Sequence, residues 1–406
     1  MADNKELNVK VGLIGAFDML KFKNMAKTRE QAIQAAPAKE ITGTFPINEN
    51  AKKFRPERQE MIIDEVIDHG AAGAKTFVMK RKDGKAAGLV RAGQYVCVDL
   101  KIGETRTTRP YSVCSSPAQL REGKVAITVK TNPNNGFAAD WILANWKQGD
   151  EVVISGGEGF MYYEELRDGK NVVALAGGVG ITPYIAMARA IRDGVEDFNL
   201  TVIFNSRTED SILFKKEFDE ICAATDKVKI VHVLSREEKE GYEHGHITAE
   251  LIKKYAPETY AVYICGPENM YKAALEEVKK LGVKENRVRH EAMGVTKTVW
   301  EEPGYPAECK DKVFKVKMLK GAQSYEFEAS ANESVLVAIE RAGVKAPSRC
   351  RAGECGWCRS KLLEGEVFVP ADAEYRRWGD REYGYIHPCC SFPVSDLVIE
   401  VPGSYL

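Results

Sequence analysis

Pro347-Ser348-Arg349-Cys350-Arg351-Ala352-Gly353-Glu354-Cys355-Gly356-Trp357-Cys358, answered far downstream by Cys389, is the stretch from which the rest of this chain is read. Three cysteines separated by four and then two residues, with a distant fourth, have the ligand spacing of a plant-type [2Fe–2S] cluster. Such a cluster moves one electron at a time, so a donor that delivers electrons in pairs must be split elsewhere in the chain. Small residues at Ala352, Gly353 and Gly356 let backbone N–H groups approach the sulfurs, a contact that tunes the potential. A structural zinc site usually takes two close cysteine pairs, whereas the distal site offers only the adjacent Cys389 and Cys390. A disulfide framework needs an oxidising compartment, and nothing in the sequence indicates one.

The chain has 406 residues, enough for about three ordinary domains. Hydrophobic residues make up 44%, so real cores can form. A net charge of −1 argues against nucleic acid or a membrane surface as partner. The start, MADNKELNVK, lacks the basic-then-apolar pattern of a signal peptide. No apolar run reaches the roughly 18 residues that span a bilayer. With ten cysteines and no secretion signal, a reducing cytoplasm is expected.

Rhythm divides the chain. Residues 1–55 form an extension with a helix expected over Lys21–Glu40, read as packing rather than as a docking arm. Over 56–165, short alternating strands (Met61–Val66, Thr76–Lys80, Tyr95–Leu100, Lys124–Lys130) predict an antiparallel β-barrel. Over 166–292 the pattern becomes strand, glycine turn, helix. Strands at Val172–Ala176, Leu200–Phe204, Lys229–Leu234 and Ala261–Cys265 alternate with helices at Pro183–Arg192, Phe214–Ala224, Ala249–Tyr255 and Asn269–Lys280. That alternation predicts an α/β parallel-sheet domain. A linker, 293–311, precedes the cysteine-bearing domain, 312–406, where strands resume at Val313.

Two further motifs lie in order. In Arg109-Pro110-Tyr111-Ser112, alternate residues of a strand face the same way, so Arg109 and Tyr111 can meet one ligand. Downstream, Gly136-Phe137-Ala138-Ala139 opens a helix running to Ala144, and such an N-terminus suits a phosphate. After the strand Val172–Ala176 comes Gly177-Gly178-Val179-Gly180-Ile181-Thr182-Pro183, whose glycines admit a pyrophosphate and whose proline suits a first helical turn. Cys265-Gly266-Pro267 ends the last main strand.

Together these segments resemble the ferredoxin–NADP reductase superfamily, and Cys350–Cys358 with Cys389-Cys390-Ser391-Phe392-Pro393 resembles the plant-type ferredoxin motif, read as a β-grasp domain. The resemblance implies FAD rather than FMN, held by Arg109, Pro110, Gly136, Phe137, Ala138 and Ala139, with Tyr111 stacked on its ring and Ser112 near N5. It implies NADPH or NADH against Gly177, Gly178, Gly180, Thr182 and Pro183, with Cys265, Gly266 and Pro267 beside the nicotinamide. Glu291, in His290-Glu291-Ala292-Met293, would help order the flavin site, although Met293 stands where the family has an aromatic. Cys350, Cys355, Cys358 and Cys389 would be the cluster ligands and Cys390 would not. Ser206-Arg207 and Ser235-Arg236 each end a strand and either could bind a ribose 2′-phosphate, with Ser235 and Arg236 preferred and NADPH favoured; acidic Glu209, Asp210, Glu237 and Glu238 nearby make the signal mixed.

The domain order resembles that of oxygenase reductases of the phthalate dioxygenase reductase type and of hybrid cluster protein reductases. It implies an enzyme that passes electrons from NAD(P)H through FAD to the cluster and on to a separate acceptor protein. Arg349, Arg351, Arg359, Arg376, Arg377 and Arg381 crowd the cluster segments and suggest an acidic docking face on that partner. A flavin/iron–sulfur subunit of a larger complex is the alternative, opposed by the 30 residues between Cys358 and Cys389. A redox-sensing module is a third, with no DNA-binding helix pair or basic tail behind it.

Overall fold

A computed structural model of the chain describes residues 13–35, 43–131, 136–291 and 294–402. Met1–Asn50 form one compact unit and Ala51–Leu406 a second. In the first, a helix spans Leu13–Ala35, beginning before the expected Lys21; residues 36–40 of that expectation lie outside the described residues. Phe17, Leu20 and Met25 on this helix are exposed. A second helix, Pro46–Phe54, follows.

The second unit is built on three main sheets. Strands β1 (Gln59–Asp68), β2 (Ala74–Arg81), β3 (Tyr95–Ile102), β4 (Thr105–Ser112), β5 (Lys124–Lys130) and β6 (Glu151–Ile154) pair antiparallel in the order β4-β3-β6-β1-β2-β5. The sheet curls until its ends meet at a bridge between Val113 and Ile127. Alternate residues such as Met61, Ile63, Phe77, Met79, Val96 and Val98 turn inward to fill it.

Strands β7 (Asn171–Gly177), β8 (Asn199–Ser206), β9 (Val228–Leu234), β10 (Glu243–His244), β11 (Ala261–Cys265) and β12 (Val288–Glu291) form a wholly parallel sheet, β10-β9-β8-β7-β11-β12. Val172–Ala176 and Ala261–Cys265 are buried throughout, as continuous apolar strands covered on both faces should be. The expected helices appear at Thr182–Arg192, Lys215–Ala224, Ala249–Tyr255 and Glu268–Lys280. Strand order reverses between β7 and β11, and ligands of such sheets bind at the strand ends beside that reversal.

The stretch read as a linker is not a loose tether, since Val299, Tyr305 and Cys309 are buried in one cluster with Ala331 and Phe392. Beyond it, β13 (Val313–Lys320), β14 (Gln323–Ser330), β15 (Ser360–Glu364), β17 (Tyr385–Ile386) and β19 (Leu397–Glu400) form a mixed sheet, β14-β13-β19-β15-β17, packed on the helix Val335–Arg341. Strands β16 (Val367–Phe368) and β18 (Phe392–Pro393) make a small ribbon beside it.

Asp168, fully buried on the turn between the first two sheets, ties that turn to the parallel sheet. Its carboxylate accepts hydrogen bonds from Tyr263 Oη at 2.7 Å, Arg167 Nη2 at 2.8 Å and the Glu164 amide at 2.9 Å. Burial alone would push its pKa up, but the bonds from Arg167, Tyr263 and Glu164 outweigh it and hold the pKa below the ordinary value. A depressed pKa stabilises the fold above the unfolded value and loses that contribution as pH falls through the folded one. Asp168→Asn is therefore expected to cost about 3 kcal/mol at neutral pH and to flatten the loss of stability below about pH 4. Denaturation midpoints measured across pH check this; an unchanged acid limb would contradict it.

Candidate active site

The cysteine loop folds as its small residues suggest. Cys350, Cys358 and Cys389 are buried and Cys355 is partly so. The Cys350 thiol neighbours those of Cys355 and Cys389, and Cys389 neighbours both Cys358 and Cys390. The amides of Ala352 and Cys355 donate to Cys350 Sγ and that of Trp357 to Cys355 Sγ, each at 3.4 Å. Four cysteine thiols, two of them with N–H donors aimed at their sulfurs, suit a [2Fe–2S] cluster. Cys390 Sγ points to the His387 carbonyl, at 3.4 Å. Gly353 (φ 86°) has no room for a side chain: a Cβ there would lie 2.6 Å from the Ala373 carbonyl oxygen and 3.0 Å from Cys390 Sγ.

This loop sits against the flavin-side sheet. On β3 and β4, Tyr95 pairs with Ser112 and Cys97 with Pro110, while Val96 pairs with Tyr111 and Val98 with Arg109. Tyr95 and Cys97 pack on Cys350, Ala352 and Cys355. Tyr111 and Arg109 share the opposite side, where Tyr111 packs on the sheet's core. Ser112 thus faces away from Arg109 and Tyr111 along the strand.

Arg109 donates to Thr107 and, at 2.9 Å, to the Thr108 carbonyl, and lies 3.9 Å from Glu340 Oε2. Glu340 is buried and already takes both Nη atoms of Arg351, at 2.6 and 2.9 Å. Burial, with Arg351 adding repulsion, draws the Arg109 pKa down to about 10. Two guanidinium groups therefore share one carboxylate, and the excess positive charge suits an anionic group such as a phosphate. Gly136 opens the helix Phe137–Asn145, with Ala138 buried, Ala139 half-buried and Phe137 exposed.

At the sheet's reversal two turns interlock. A Cβ on Gly180 would lie 2.2 Å from the Cys265 carbonyl oxygen and 2.7 Å from the Gly266 nitrogen. Gly177 packs against Pro267 and Met270, and Gly178 takes φ 55°. Thr182 Oγ1 donates to the Val179 carbonyl at 2.9 Å, and Thr182 and Pro183 begin the helix they were expected to open. The turn is left with its backbone bare, the form that receives a pyrophosphate.

Ser112, Cys265 and Glu291, far apart in sequence, come together. Cys265 pairs with Glu291 across β11 and β12, and Ser112 Oγ donates to Glu291 Oε2 at 3.3 Å. Burial, helped by Glu354, pushes the Glu291 pKa up to about 8, and the Ser112 bond only partly offsets it. Ala292 and Met293 lie outside the described residues. Two participants were missed from the sequence. Glu354 keeps an exposed surface, yet the crowding of neighbouring atoms lifts its pKa to about 7, and its position inside the cysteine motif was the signal. Tyr184 Oη is buried without a partner, and only its place on the helix after the glycine turn hinted at it.

Ser206-Arg207 and Ser235-Arg236 lie side by side, with Ser235 and Arg236 amides donating to the Ser206 and Arg207 carbonyls at 2.9 Å. Ser206 Oγ is buried without a partner, and Arg207 and Arg236 are exposed. Glu209 is taken by Lys239 and Tyr242, and Glu237 accepts the Glu209 amide at 2.8 Å. Of the six arginines near the cluster, four have carboxylate partners: Arg349 with Glu158, Arg351 with Glu340, Arg359 with Asp380 and Arg376 with Glu374.

The family described as the oxidoreductase FAD-binding domain matches residues 72–163, the oxidoreductase NAD-binding domain 174–276, and the 2Fe-2S iron-sulfur cluster binding domain 320–394. The glycine betaine monooxygenase reductase subunit of Chromohalobacter salexigens is 26% identical over 324 residues, covering 76% of this chain and 87% of its own. The NADH oxidoreductase HCR of Escherichia coli is 28% identical over 317 residues, 76% of this chain and 88% of its own. The solved structure of phthalate dioxygenase reductase, 23% identical, superposes with a TM-score of 0.61 over 88% of this chain and 100% of that one. The chain is an oxidoreductase built of flavin, nicotinamide and iron–sulfur domains in that order. It carries one domain of each of these three families, in the fold that phthalate dioxygenase reductase shows.

Because the Gly180 contact is backbone to backbone, Gly180→Ala is expected to destabilise the fold by about 1–3 kcal/mol. It should also weaken pyridine-nucleotide binding while leaving FAD content unchanged. Isothermal titration with NAD(P)+ beside a flavin spectrum checks both; unaltered binding would show that the two turns need not touch.

Proposed function

We propose that this reductase takes its electrons from NADPH and delivers them singly to a separate protein acceptor such as an oxygenase component. The convergence of Ser112, Cys265 and Glu291 beside the cysteine loop carries the reading, because it sets nicotinamide, flavin and cluster sites edge to edge. FAD held there would supply the change from two-electron to one-electron chemistry that lies between a nicotinamide and a [2Fe–2S] cluster.

The chain's own residues do the placing. Arg109, with Pro110 fixing the strand beside it, supplies positive charge for the flavin phosphates, and Gly136, Phe137, Ala138 and Ala139 open the helix that would face them. Tyr111 supplies the ring face. Ser112 orients Glu291, which at neutral pH is held mostly protonated and so is able to donate a proton. Gly177, Gly178, Gly180, Thr182 and Pro183 receive the dinucleotide, and Cys265, Gly266 and Pro267 border its nicotinamide. Cys350, Cys355, Cys358 and Cys389 hold the cluster. Among the described residues no helix is long and apolar enough to cross a membrane.

Stopped-flow mixing with NADPH is expected to bleach the flavin first and the cluster afterwards. In Cys389→Ser only the flavin phase should remain, while Cys390→Ser should keep both. A wild-type cluster that never bleaches would end the proposal.

NADPH is favoured over NADH because exposed Arg207 and Arg236 sit side by side with Ser235, and two of their acidic neighbours, Glu209 and Glu237, already accept hydrogen bonds within the chain. The relative named an NADH oxidoreductase is the contrary precedent. Arg236→Ala with Arg207→Ala is expected to lower kcat/KM for NADPH about tenfold or more while sparing NADH, at the roughly 1.5–3 kcal/mol of a charged hydrogen bond. Equal losses with both nucleotides would assign these arginines no role in discrimination.

A further inference from the structure

The cysteine loop has two sides, and they have different neighbours. Cys350 and Cys355 face Tyr95 and Cys97 of the flavin-side sheet. Cys358, Cys389 and Cys390 are instead buried with Leu336 and Ala373. Ala373 begins a segment laid directly over that second side: its carbonyl abuts Gly353, and buried Asp380 lies 3.8 Å from His387 Nε2. His387 in turn bonds the Gly353 carbonyl through Nδ1 at 2.7 Å.

The outer surface of this segment is unlike the rest of the domain. Trp378 is 68% exposed, Tyr383 64% and Tyr375 40%. Around them Glu374 and Asp380 are consumed by Arg376 and Arg359. Arg377 and Arg381 are exposed, and among the described residues neither has an ion-pair partner. Lys361 adds a further cation, donating to the Tyr383 carbonyl, and Glu382 is the acidic counterweight. Tryptophan, tyrosine and arginine are the residue types that dominate the energetics of protein interfaces. A clustered exposure of them marks a contact surface rather than a solvated face.

We propose that the segment Tyr375–Tyr383 is the face through which electrons leave the chain, and that its partner is a redox protein presenting acidic side chains around an apolar recess. The proposal rests on the reductase reading above and adds to it where the acceptor sits and what its surface must be. Trp378 and Tyr383 fill the recess, Arg377 and Arg381 pair with the acidic rim, and the partner's redox centre comes to rest over the Cys358–Cys389 side. The flavin-facing side is covered by the chain itself, so an acceptor cannot use it without undocking the loop.

The test uses the full-length holoenzyme with NADPH and two haem proteins of opposite surface charge, acidic cytochrome b5 and basic cytochrome c. Arg377→Glu with Arg381→Glu should lower kcat/KM for cytochrome b5 about tenfold or more at low salt, with the difference shrinking as ionic strength rises. Trp378→Ala should lower it at every ionic strength. Cytochrome c reduction should not fall in the charge-reversed protein. Bleaching of flavin and cluster by NADPH should match wild type in all variants, since none of these residues touches either site. Unchanged cytochrome b5 kinetics, or equal losses with both haem proteins, would overturn the proposal while leaving the reductase reading intact. A wild-type cluster that never bleaches would overturn both.

Discussion

The seating of the cysteine loop on the flavin-side sheet is the constraint on which the remaining arrangement depends. An electron carrier that is loosely tethered to its donor works through chance encounters; here Cys350 and Ala352 are packed against Tyr95 and Cys97. Polar contacts fix the orientation. Thr108 Oγ1 lies 2.9 Å from the Ser348 carbonyl and 2.6 Å from Ser348 Oγ, and buried Arg349 pairs with Glu158 while stacking 3.9 Å over the Trp357 ring. Buried ion pairs of this kind contribute little net stability against a well-packed apolar alternative, because desolvation offsets the attraction. What they confer is direction. A sliding apolar interface would tolerate many orientations, whereas Arg349 without Glu158 would be an uncompensated buried charge.

Arg351 shows how far the backbone is bent to this end. It is a non-glycine residue at φ 59°, a conformation costing roughly 1–2 kcal/mol. The cost is tolerated because both of its terminal nitrogens are taken by Glu340, itself buried on the helix Val335–Arg341. The same Glu340 lies 3.9 Å from Arg109 of the flavin strand. One carboxylate from the iron–sulfur domain therefore sits between the loop that carries the cysteines and the arginine read as the flavin anchor. Flavin binding and loop position act on shared charge, so neither site is electrostatically independent of the other.

Much of this was legible in the sequence, and for identifiable reasons. The cysteine spacing and the turns Gly177–Pro183 and Cys265–Pro267 are local patterns with few physical meanings, and the strands that lead into them are uniform apolar runs. The β4 motif was readable as a strand whose alternation sets Arg109 and Tyr111 on one side, but that Ser112 on the other side meets Glu291, 179 residues on, was not. The arginines were the least legible. Six near the cysteines looked like one basic surface, yet four are spent on Glu158, Glu340, Asp380 and Glu374. One of those carboxylates, Glu158, lies 191 residues from its partner Arg349 in chain order, and spacing gives no hint of such a pairing. Glu354 and Tyr184 escaped because a carboxylate in a loop and a tyrosine on a helix are ordinary until the fold closes over them.

The division of the arginines follows a single logic. Arg349 and Arg351 lie under the loop, where a free cation would be costly, and each has a carboxylate. Arg359 ties the covering segment to the end of the cysteine loop through Asp380, while Arg376 pairs locally with Glu374 and donates to the Tyr385 carbonyl at 3.3 Å. Internal partners run out at Arg377 and Arg381, just where the chain turns outward beside Trp378. Charge satisfied within the chain fixes the route by which electrons reach the cluster; charge left unsatisfied at its surface is available to select what receives them. The two demands conflict, because a cluster held against its donor presents only one remaining side. The covering segment resolves that conflict by being both the lid over Cys358 and Cys389 and the surface that faces solvent.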